Sequence, residues 1–268
     1  MNKKLVEKFG PWALITGSAR KKGLGFSYAK FLAKNGINIV LVDILTDELN
    51  TRKEELSEKY GVEVFSISMD LGQPNFITEL TTKTKDIEIG LVVCNHYFTP
   101  KDTPKILDMD LDVHCKMIDI NSQAYMNILH AYGRKMVKMG RGGLVVIGSG
   151  SGIIHAPYTG SYSANKAFQI AMGEVLWYEL KDSGVEVITI IAGLMDTQGE
   201  ALSRYPKRMF TKVEDVVTET FRRIGKTPSI VPGKMNKLVM FLQSRLMSRK
   251  AAINSMGSFM GKGLGKYK

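Results

Sequence analysis

Three side chains between residues 149 and 166 form a set that can transfer a proton. Tyr162 and Lys166 stand four residues apart, so on a helix their side chains lie on the same face. An ammonium group beside a phenol favours the phenolate, which would let Tyr162 donate or accept a proton near neutral pH. Ser149 follows an apolar run at 144–147 that predicts a buried strand, and its hydroxyl could hold the oxygen of a carbonyl or an alcohol. The trio therefore predicts chemistry at a C=O or CH–OH group.

A glycine-rich turn near the N-terminus predicts a dinucleotide site. Residues 12–16 are largely apolar and predict a first buried strand, and a helical pattern follows the turn through residue 34. Glycines in such a turn let the backbone approach a pyrophosphate, which lies at the helix N-terminus. The residues of the turn that we expect to contact the cofactor are Gly17, Ser18, Gly23, Leu24 and Gly25.

The end of the predicted second strand, 38–43, favours NAD over NADP. Asp43 stands there, and a carboxylate can accept hydrogen bonds from a ribose diol while it repels a 2′-phosphate. The basic residues Arg20, Lys21 and Lys22 favour the opposite choice, since they could receive a phosphate. Because a carboxylate facing the 2′-position disfavours NADP directly, we expect NAD as the cofactor and NADP as the alternative.

These motifs, in this order, resemble those of the short-chain dehydrogenase/reductase family from residue 12 to residue 197. With Asn121 upstream, the trio of Ser149, Tyr162 and Lys166 resembles the catalytic tetrad of that family. The resemblance implies hydride transfer between C4 of a nicotinamide and a carbinol carbon, with Asn121 binding a water that completes a proton relay. The cofactor contacts that it implies further along the chain are Asp70, Leu71, Asn95, Gly193, Met195 and Thr197, beside Tyr162 and Lys166.

The chain departs from the family pattern at three places. Gly17 and Gly23 enclose five residues instead of three, and Ala192 replaces a proline. His96 and Tyr97 replace two small residues beside the cofactor, and we interpret His96 as a packed histidine outside the catalytic set. These departures keep open a second class, a nucleotide-binding protein that has lost catalysis, although the intact proton-transfer trio disfavours it.

The alternation of strands and helices predicts an α/β fold, a Rossmann-like doubly wound parallel sheet with helices on both faces. The predicted elements include a charged helix at 46–60, a strand at 62–69, one or two helices at 107–139 and a helix near 234–249. We expect a single catalytic domain over residues 1–230 and a basic, helical C-terminal extension over 231–268. Residues 194–210 mix apolar and basic groups and predict a substrate loop within the domain. The apolar residues expected to line the substrate site are Leu194, Met195, Leu202 and Met209, although core packing explains them nearly as well.

The net charge of +11 belongs to the C-terminal tail. Residues 1–219 carry 26 basic and 26 acidic side chains, whereas residues 220–268 carry 11 basic side chains and no acidic one. This distribution argues against a nucleic-acid groove across the main domain. The tail could dock on another subunit of a homodimer or homotetramer, or it could lie on an anionic membrane. An extended docking arm is favoured by the glycines near the end of the chain, Gly257, Gly261, Gly263 and Gly265.

Cysteine content and hydropathy predict a cytoplasmic enzyme without a metal. Cys94 and Cys115 are too few for a disulfide framework, which favours a reducing compartment. The sequence has no apolar run long enough for a signal peptide or for a membrane-spanning helix. It also has no cluster of histidines and cysteines with the spacing of metal ligands.

The substrate class is indicated by resemblance alone. The resemblance implies a hydroxysteroid or a similarly bulky, hydrophobic alcohol, and reductases of other steroids or of long-chain ketoacyl substrates are the alternative. At the end of the second strand the bile-acid enzymes carry arginines suited to NADP, where this chain has Asp43 and Ile44. The stretches similar to bacterial bile-acid 7β-hydroxysteroid dehydrogenases are KKLVEKFGPWALITG at 3–17, YGVEVF at 60–65, LGQP at 71–74, KAF at 166–168 and MGSF at 256–259.

Overall fold

Seven strands and ten α-helices make up the described part of the structure, a computed structural model that describes residues 3–101, 105–197 and 210–263. The strands are β1 (Trp12–Thr16), β2 (Asn38–Asp43), β3 (Val64–Ser68), β4 (Ile89–Cys94), β5 (Gly142–Ser149), β6 (Val185–Ala192) and β7 (Ser229–Ile230). The helices are α1 (Lys3–Phe9), α2 (Leu24–Lys34), α3 (Thr46–Tyr60), α4 (Phe76–Lys83), α5 (Leu111–Ile118), α6 (Ala124–Met139), α7 (Tyr162–Glu179), α8 (Val213–Arg223), α9 (Lys234–Phe241) and α10 (Arg249–Gly263).

Helices cover both faces of one parallel sheet, because its strands are apolar on both sides. The strand order is β3-β2-β1-β4-β5-β6-β7, and every neighbouring pair is parallel. Successive side chains of β1 point to opposite faces, so Leu14 joins one apolar cluster while Ala13 and Ile15 join the other. All six residues of β4 are buried, as expected for a strand between two helical layers. The predicted doubly wound α/β fold is confirmed.

The strand order reverses between β1 and β4, and this reversal places a crevice at the carboxyl ends of the two strands. The sheet continues from β1 to β2 and β3 on one side, and from β4 to β5, β6 and β7 on the other. The segments that follow β1 and β4 therefore diverge, and ligands of open α/β sheets bind in the gap between them. The glycine-rich turn follows β1 directly at Gly17, so it lies at this crevice.

The helical pattern predicted at 107–139 forms two helices that a π-turn joins without a break. The π-turn spans Asp119–Gln123, between α5 and α6. Asn121 lies within it and is fully buried. Single π-turns inside α-helices occur frequently at functional sites, because they change the direction in which one residue's groups point.

The C-terminal extension is helical, as predicted, but its described part is not an extended arm. The helix expected near 234–249 is divided into α9, a π-turn and the start of α10. Gly257 and Gly261 lie within α10, so the expectation of a glycine-rich arm is wrong there. Tertiary contacts overcome the low helix propensity of glycine, since Ala252 is buried and a Cβ on Gly257 would lie 3.3 Å from Pro157.

The remaining sequence expectations concern the end of the chain, membrane-spanning helices and the cysteines. Gly265 lies outside the described residues. Strand β7 ends at Ile230, and the division of the chain into a catalytic domain and an extension at that point stays a prediction. Within the described ranges, no helix is long and apolar enough to cross a membrane. Cys94 is buried, Cys115 is exposed, and both are free thiols.

Candidate active site

A cavity of about 340 Å³ opens where the carboxyl ends of β1, β4, β5 and β6 meet. It occupies the crevice at which the strand order reverses. Most of the residues predicted from the sequence line it, namely Gly17, Gly23, Leu24, Asn95, Ser149, Tyr162, Lys166, Gly193, Leu194, Met195 and Thr197. The rest of its wall comes from Arg20, Tyr97, Ile147, Gly148 and Ala192.

Strand β5 and helix α7 bring the proton-transfer trio together. Ser149 is the last residue of β5 and Tyr162 is the first of α7, and their side chains are hydrogen-bonded to each other. Lys166 Nζ lies 5.5 Å from the centre of the Tyr162 ring and donates a hydrogen bond to the Ile147 carbonyl at 2.9 Å. Ser149 Oγ also accepts hydrogen bonds from Ser151 N at 3.3 Å and from Ser151 Oγ at 3.0 Å. The hydroxyls of Ser149 and Tyr162 can therefore act on one substrate oxygen, with the Lys166 amine beside the phenol.

Burial disfavours the charged forms of both the phenol and the amine. It raises the pKa of Tyr162 above its ordinary value, and Tyr97 raises it further, while the hydrogen bond with Ser149 acts in the opposite direction. Burial also lowers the pKa of Lys166 to about 7. The sequence predicts an ammonium that lowers the pKa of the phenol, but it does not show that Lys166 is buried or that desolvation raises the pKa of Tyr162. Lys166 is thus poised to take up or release a proton near neutral pH.

Asn121 connects the π-turn to the segment that follows β4 through two side-chain hydrogen bonds. Its Oδ1 accepts a hydrogen bond from Phe98 N at 2.7 Å, and its Nδ2 donates one to the Phe98 carbonyl at 2.8 Å. The main-chain carbonyl of Asn121 accepts a hydrogen bond from Gln169 Nε2 at 2.6 Å. Gln169 stands three residues after Lys166 on α7, so this bond ties the π-turn to the helix of the trio.

The glycines of the first turn allow it to pack closely against the segment after β4. Gly17 has a φ of 65°, and a Cβ on it would lie 2.9 Å from His96 Cα. A Cβ on Gly25 would lie 2.4 Å from the Gly17 carbonyl oxygen. Gly23 and Leu24 stand where α2 begins and line the cavity, so this turn fits a pyrophosphate at a helix N-terminus. Ser18 is buried with its hydroxyl 3.4 Å from the Val42 carbonyl, so its side chain is directed to β2 instead of the cavity.

Asp43, at the end of β2, binds the first turn through its side chain. Its Oδ2 accepts a hydrogen bond from Ala19 N at 2.9 Å. Its Oδ1 accepts hydrogen bonds from Ile44 N at 2.8 Å and Leu45 N at 3.2 Å. A carboxylate has about four acceptor sites, so one remains on Oδ2. Asp43 therefore places a negative charge beside the first turn, although it does not line the cavity itself.

The residues expected to contact the adenine lie at the next strand end. Asp70 follows β3 closely, and its carboxylate accepts hydrogen bonds from Gly72 N at 2.9 Å and Gln73 Nε2 at 3.3 Å. Leu71 is buried. Neither residue lines the cavity, whereas Arg20, to which the sequence gives less weight than Asp43, does line it.

The histidine after Asn95 is a packed residue. His96 is buried, with Nδ1 2.7 Å from Thr16 Oγ1 and its ring centre 4.4 Å from that of Tyr125. Burial and the nearby Lys166 lower the pKa of His96 to about 3, so its ring is neutral at physiological pH. The Tyr125 hydroxyl donates a hydrogen bond to the His96 carbonyl at 3.0 Å. His96 thus connects β1, β4 and α6 behind the cavity.

Tyr97 lines the cavity, although the sequence analysis did not assign it to the site. Its side chain is 61% exposed, and its ring lies edge-on to that of Tyr162 with the centres 6.4 Å apart. Lys166 Nζ lies 5.9 Å from the centre of the same ring. The only signal in the sequence is the bulky residue at a position that is small in the family. Tyr97 therefore stands where it can contact whatever binds beside the trio.

Helix α9 packs against two glycines at the edge of the site, a contact that the sequence does not reveal. A Cβ on Gly193 would lie 2.4 Å from Asn236 Cγ, and one on Gly150 would lie 2.6 Å from the Met240 methyl group. Asn236 Nδ2 donates a hydrogen bond to Thr211 Oγ1 at 3.0 Å. The helix thus contacts the segments after both β5 and β6. Of the predicted substrate-loop residues, Leu194 and Met195 line the cavity, and Leu202 and Met209 lie outside the described residues.

No cation site accompanies these groups in the described ranges. Among residues 3–101, 105–197 and 210–263, no three side chains of His, Cys, Asp or Glu come together as a bound metal ion would need. The described donors at the cavity are instead two phenols, an amine, a guanidinium, hydroxyls and amides.

Sequence comparison with known proteins finds a matching family model and relatives of known activity. The family model described as short chain dehydrogenase matches residues 11–206. The chain is 30% identical over 269 residues to a 7beta-hydroxysteroid dehydrogenase of Collinsella aerofaciens, which covers 95% of this chain and 98% of the relative. It is 33% identical over 191 residues to human very-long-chain 3-oxoacyl-CoA reductase, covering 70% of this chain and 61% of the relative.

Solved structures agree with the fold. A structure described for the stereoselectivity of 7beta-hydroxysteroid dehydrogenase aligns with a TM-score of 0.88 at 28% identity, covering 94% of this chain and 98% of the other. A short-chain dehydrogenase of Sphingobium yanoikuyae, solved in complex with NADPH, aligns with a TM-score of 0.74 at 24% identity, covering 83% and 87%. At that identity the second similarity concerns the fold alone.

Proposed function

The chain belongs to the short chain dehydrogenase family, whose members are nicotinamide-dependent oxidoreductases acting on CH–OH groups, and we propose on that premise that its substrate is a hydroxysteroid. The observation that carries the proposal is the convergence of Ser149, Tyr162 and Lys166 on a cavity that begins at the glycine-rich turn. The substrate class comes from the relatives named 7beta-hydroxysteroid dehydrogenase, which align over nearly the whole chain.

In this mechanism the chain's own groups hold and protonate the substrate oxygen. A bound nicotinamide supplies the acceptor or donor of the hydride at C4. Ser149 holds the oxygen by a hydrogen bond, and Tyr162 exchanges a proton with it. Lys166, with a pKa near 7, passes that proton onward, and Asn121 would bind the water of a relay, as the family resemblance implies. Because burial raises the pKa of Tyr162, the phenol is protonated at neutral pH and serves reduction directly, whereas oxidation becomes faster as the pH rises.

The residues that we propose as nicotinamide contacts line the same cavity. Gly193 and Thr197 follow β6 and line it together with Met195. Asn95 donates hydrogen bonds from Nδ2 to the Gly17 carbonyl at 2.9 Å and to the Thr16 carbonyl at 3.3 Å, which holds the first turn against β4. These residues, with the first turn, form a continuous path from the start of α2 to the trio.

We propose NAD as the preferred cofactor. The negative charge of Asp43 lies beside the first turn and disfavours a 2′-phosphate, and its remaining acceptor site suits a ribose hydroxyl. Arg20 supports the alternative, NADP, because it lines the cavity. Asp43→Asn should therefore raise the affinity for NADP relative to NAD by about tenfold. Fluorescence titration of the protein with each nucleotide measures this ratio. An unchanged ratio would show that Asp43 does not determine the cofactor preference and would favour Arg20 as the residue that does.

The shape of the site suits a bulky apolar substrate. Leu194, Met195 and Tyr97 provide apolar surface next to the trio. A steroid or a similar rigid ring system presents such a surface. The relatives named very-long-chain 3-oxoacyl-CoA reductase support a second candidate, a long-chain ketone, which would use the same groups.

We also propose that the protein is a homodimer and that it acts in the cytoplasm. Exposed apolar side chains lie along the neighbouring helices α5, α6 and α7, and burying them against a second copy would remove them from water. These side chains are Leu111, Met126, Val137, Val175 and Tyr178. A homotetramer would need a second such surface on the same subunit.

The experiment that tests this function follows the absorbance of reduced nicotinamide. The protein is assayed with NAD⁺ and NADP⁺ in parallel over bile acids, neutral steroids, long-chain hydroxyacyl compounds and simple secondary alcohols. Turnover of a hydroxysteroid is the expected result. Turnover of long-chain compounds alone would select the second candidate, and turnover of simple alcohols alone would remove the bulky-substrate assignment.

A further inference from the structure

Helix α9 and the π-turn after it leave an apolar stripe on the surface. The stripe consists of Met235, Leu238, Phe241, Leu242 and Leu246, all exposed. Met235, Leu238 and Leu242 recur at spacings of three and four residues, so they share one face of the helix. Leu246 is 67% exposed and Phe241 is 55% exposed. Single exposed apolar residues are ordinary, but five adjoining ones on one helix mark an interaction surface.

The opposite face of the same helix is already fixed to the chain. Asn236 bonds Thr211 and abuts Gly193, and Met240 abuts Gly150. The helix is therefore held by its inner face, and the α9 stripe is directed outward. Its residues contribute little to the packing of the described chain, so their identity needs another explanation.

The charged residues around the α9 stripe indicate which kind of surface it contacts. Lys234, Arg245, Arg249 and Lys250 are exposed near it. The acidic group that faces this helix is Glu219, which is bonded to Lys237 at 2.7 Å. The sequence from 220 to 268 has 11 basic residues and no acidic one, whereas residues 1–219 are neutral in sum. An apolar helix face flanked by cations is typical of a helix that lies in the interface of an anionic bilayer.

We propose that the α9 stripe docks on the surface of a membrane that carries anionic lipids. The apolar side chains would enter the boundary between headgroups and acyl chains, and Lys234, Arg245 and Lys250 would contact the headgroups. A second copy of the chain fits this surface poorly, because a twofold contact would bring two equally basic helices together. Up to residue 263 the extension is helical, so this part of the chain forms no extended arm that would reach another subunit.

Docking would place the mouth of the cavity at the membrane. Helix α9 packs against Gly193, which lines the cavity after β6, and against Gly150, which directly follows the lining residue Ser149. An apolar substrate concentrates in the bilayer, so it could enter the site without crossing water. This consequence rests on the proposed function, whereas the docking itself does not.

The test measures binding of the full chain to vesicles without substrate or cofactor. Vesicles of phosphatidylcholine alone are compared with vesicles of equal parts phosphatidylcholine and phosphatidylglycerol by co-sedimentation. We expect binding to the anionic vesicles that falls with added salt, since each cation near such a surface contributes about fivefold to the partition. The triple variant Leu238→Gln, Phe241→Gln, Leu246→Gln should bind at least about tenfold more weakly.

A matched variant replaces exposed apolar residues elsewhere. Phe65→Gln with Leu107→Gln changes two such side chains outside the extension and should bind like the wild type. Circular dichroism and thermal unfolding establish that both variants are folded. The proposal is overturned if the wild type does not bind anionic vesicles, or if the triple variant binds as well as the wild type. It is equally overturned if sedimentation velocity shows that the triple variant loses a subunit contact while vesicle binding is unchanged.

Discussion

Replacement of Lys166 by methionine should stabilise the cofactor-free protein while it abolishes turnover. Lys166 is 2% exposed, and burial lowers its pKa to about 7. In the unfolded chain a lysine keeps its proton up to about pH 10. At pH 7 the unfolded chain therefore holds a proton that the folded chain has half released. At about 1.4 kcal/mol for each pKa unit, this difference costs the folded state about 4 kcal/mol at pH 7.

Methionine removes that cost but also removes a hydrogen bond. The Ile147 carbonyl loses its donor, Lys166 Nζ at 2.9 Å, which costs about 1–3 kcal/mol. The net gain in free energy of unfolding is about 2 kcal/mol at pH 7. Between pH 7 and pH 10 the unfolded chain binds more protons than the folded one, so wild-type stability rises with pH in that window. The advantage of the variant should therefore shrink by about 2 kcal/mol from pH 7 to pH 9.

Urea unfolding followed by tryptophan fluorescence at pH 7 and pH 9 measures both effects. Lys138→Met, which replaces an exposed lysine on α6, is the matched control and should change the free energy of unfolding by less than about 0.5 kcal/mol. If Lys166→Met is less stable than the wild type at pH 7, and the difference is the same at pH 9, burial does not lower the pKa of Lys166 and the reasoning is refuted.

Further predictions concern the first turn and the wall of the cavity. Gly25→Ala should weaken NAD binding and lower the free energy of unfolding by about 1–3 kcal/mol, because its Cβ would lie 2.4 Å from the Gly17 carbonyl oxygen. Gly133→Ala, whose Cβ meets nothing closer than 3.6 Å, should leave NAD binding unchanged and raise the free energy of unfolding by about 0.5–1 kcal/mol, because alanine favours the interior of α6 over glycine. Equal effects of the two variants would contradict the steric reason. Tyr97→Phe removes the phenol that raises the pKa of Tyr162, so the pH at which oxidation accelerates should fall; pH–rate profiles that superimpose would show that the two phenols do not interact.

Local patterns predicted the parts of this fold that depend on neighbouring residues. The predicted bounds of β1, β2 and α3 are those of the structure, since hydrophobic periodicity and charge patterning determine them within a few residues. The third strand, predicted over 62–69, is shorter, Val64–Ser68, because its ends leave the ladder with β2. Tyr162 and Lys166 were recognisable because both stand on a single helical turn, four residues apart.

Contacts between distant residues could not be predicted in the same way. Helix α9 meets Gly150 and Gly193 only because the sheet brings the ends of β5 and β6 together beside it. The pKa directions depend on burial, which only the packed structure establishes for Tyr162 and Lys166. The glycines of the tail predicted an arm from composition, whereas packing against Pro157 stabilises a helix there.

The central claim is that Tyr162 transfers the proton of the reaction. Tyr162→Phe removes one hydroxyl from the cavity and should lower turnover by about a hundredfold or more, while the affinity for NAD, measured by fluorescence titration, stays within about threefold of the wild type. Tyr60→Phe, on α3, is the matched control and should keep full turnover. Turnover of Tyr162→Phe within a few-fold of the wild type would contradict the account.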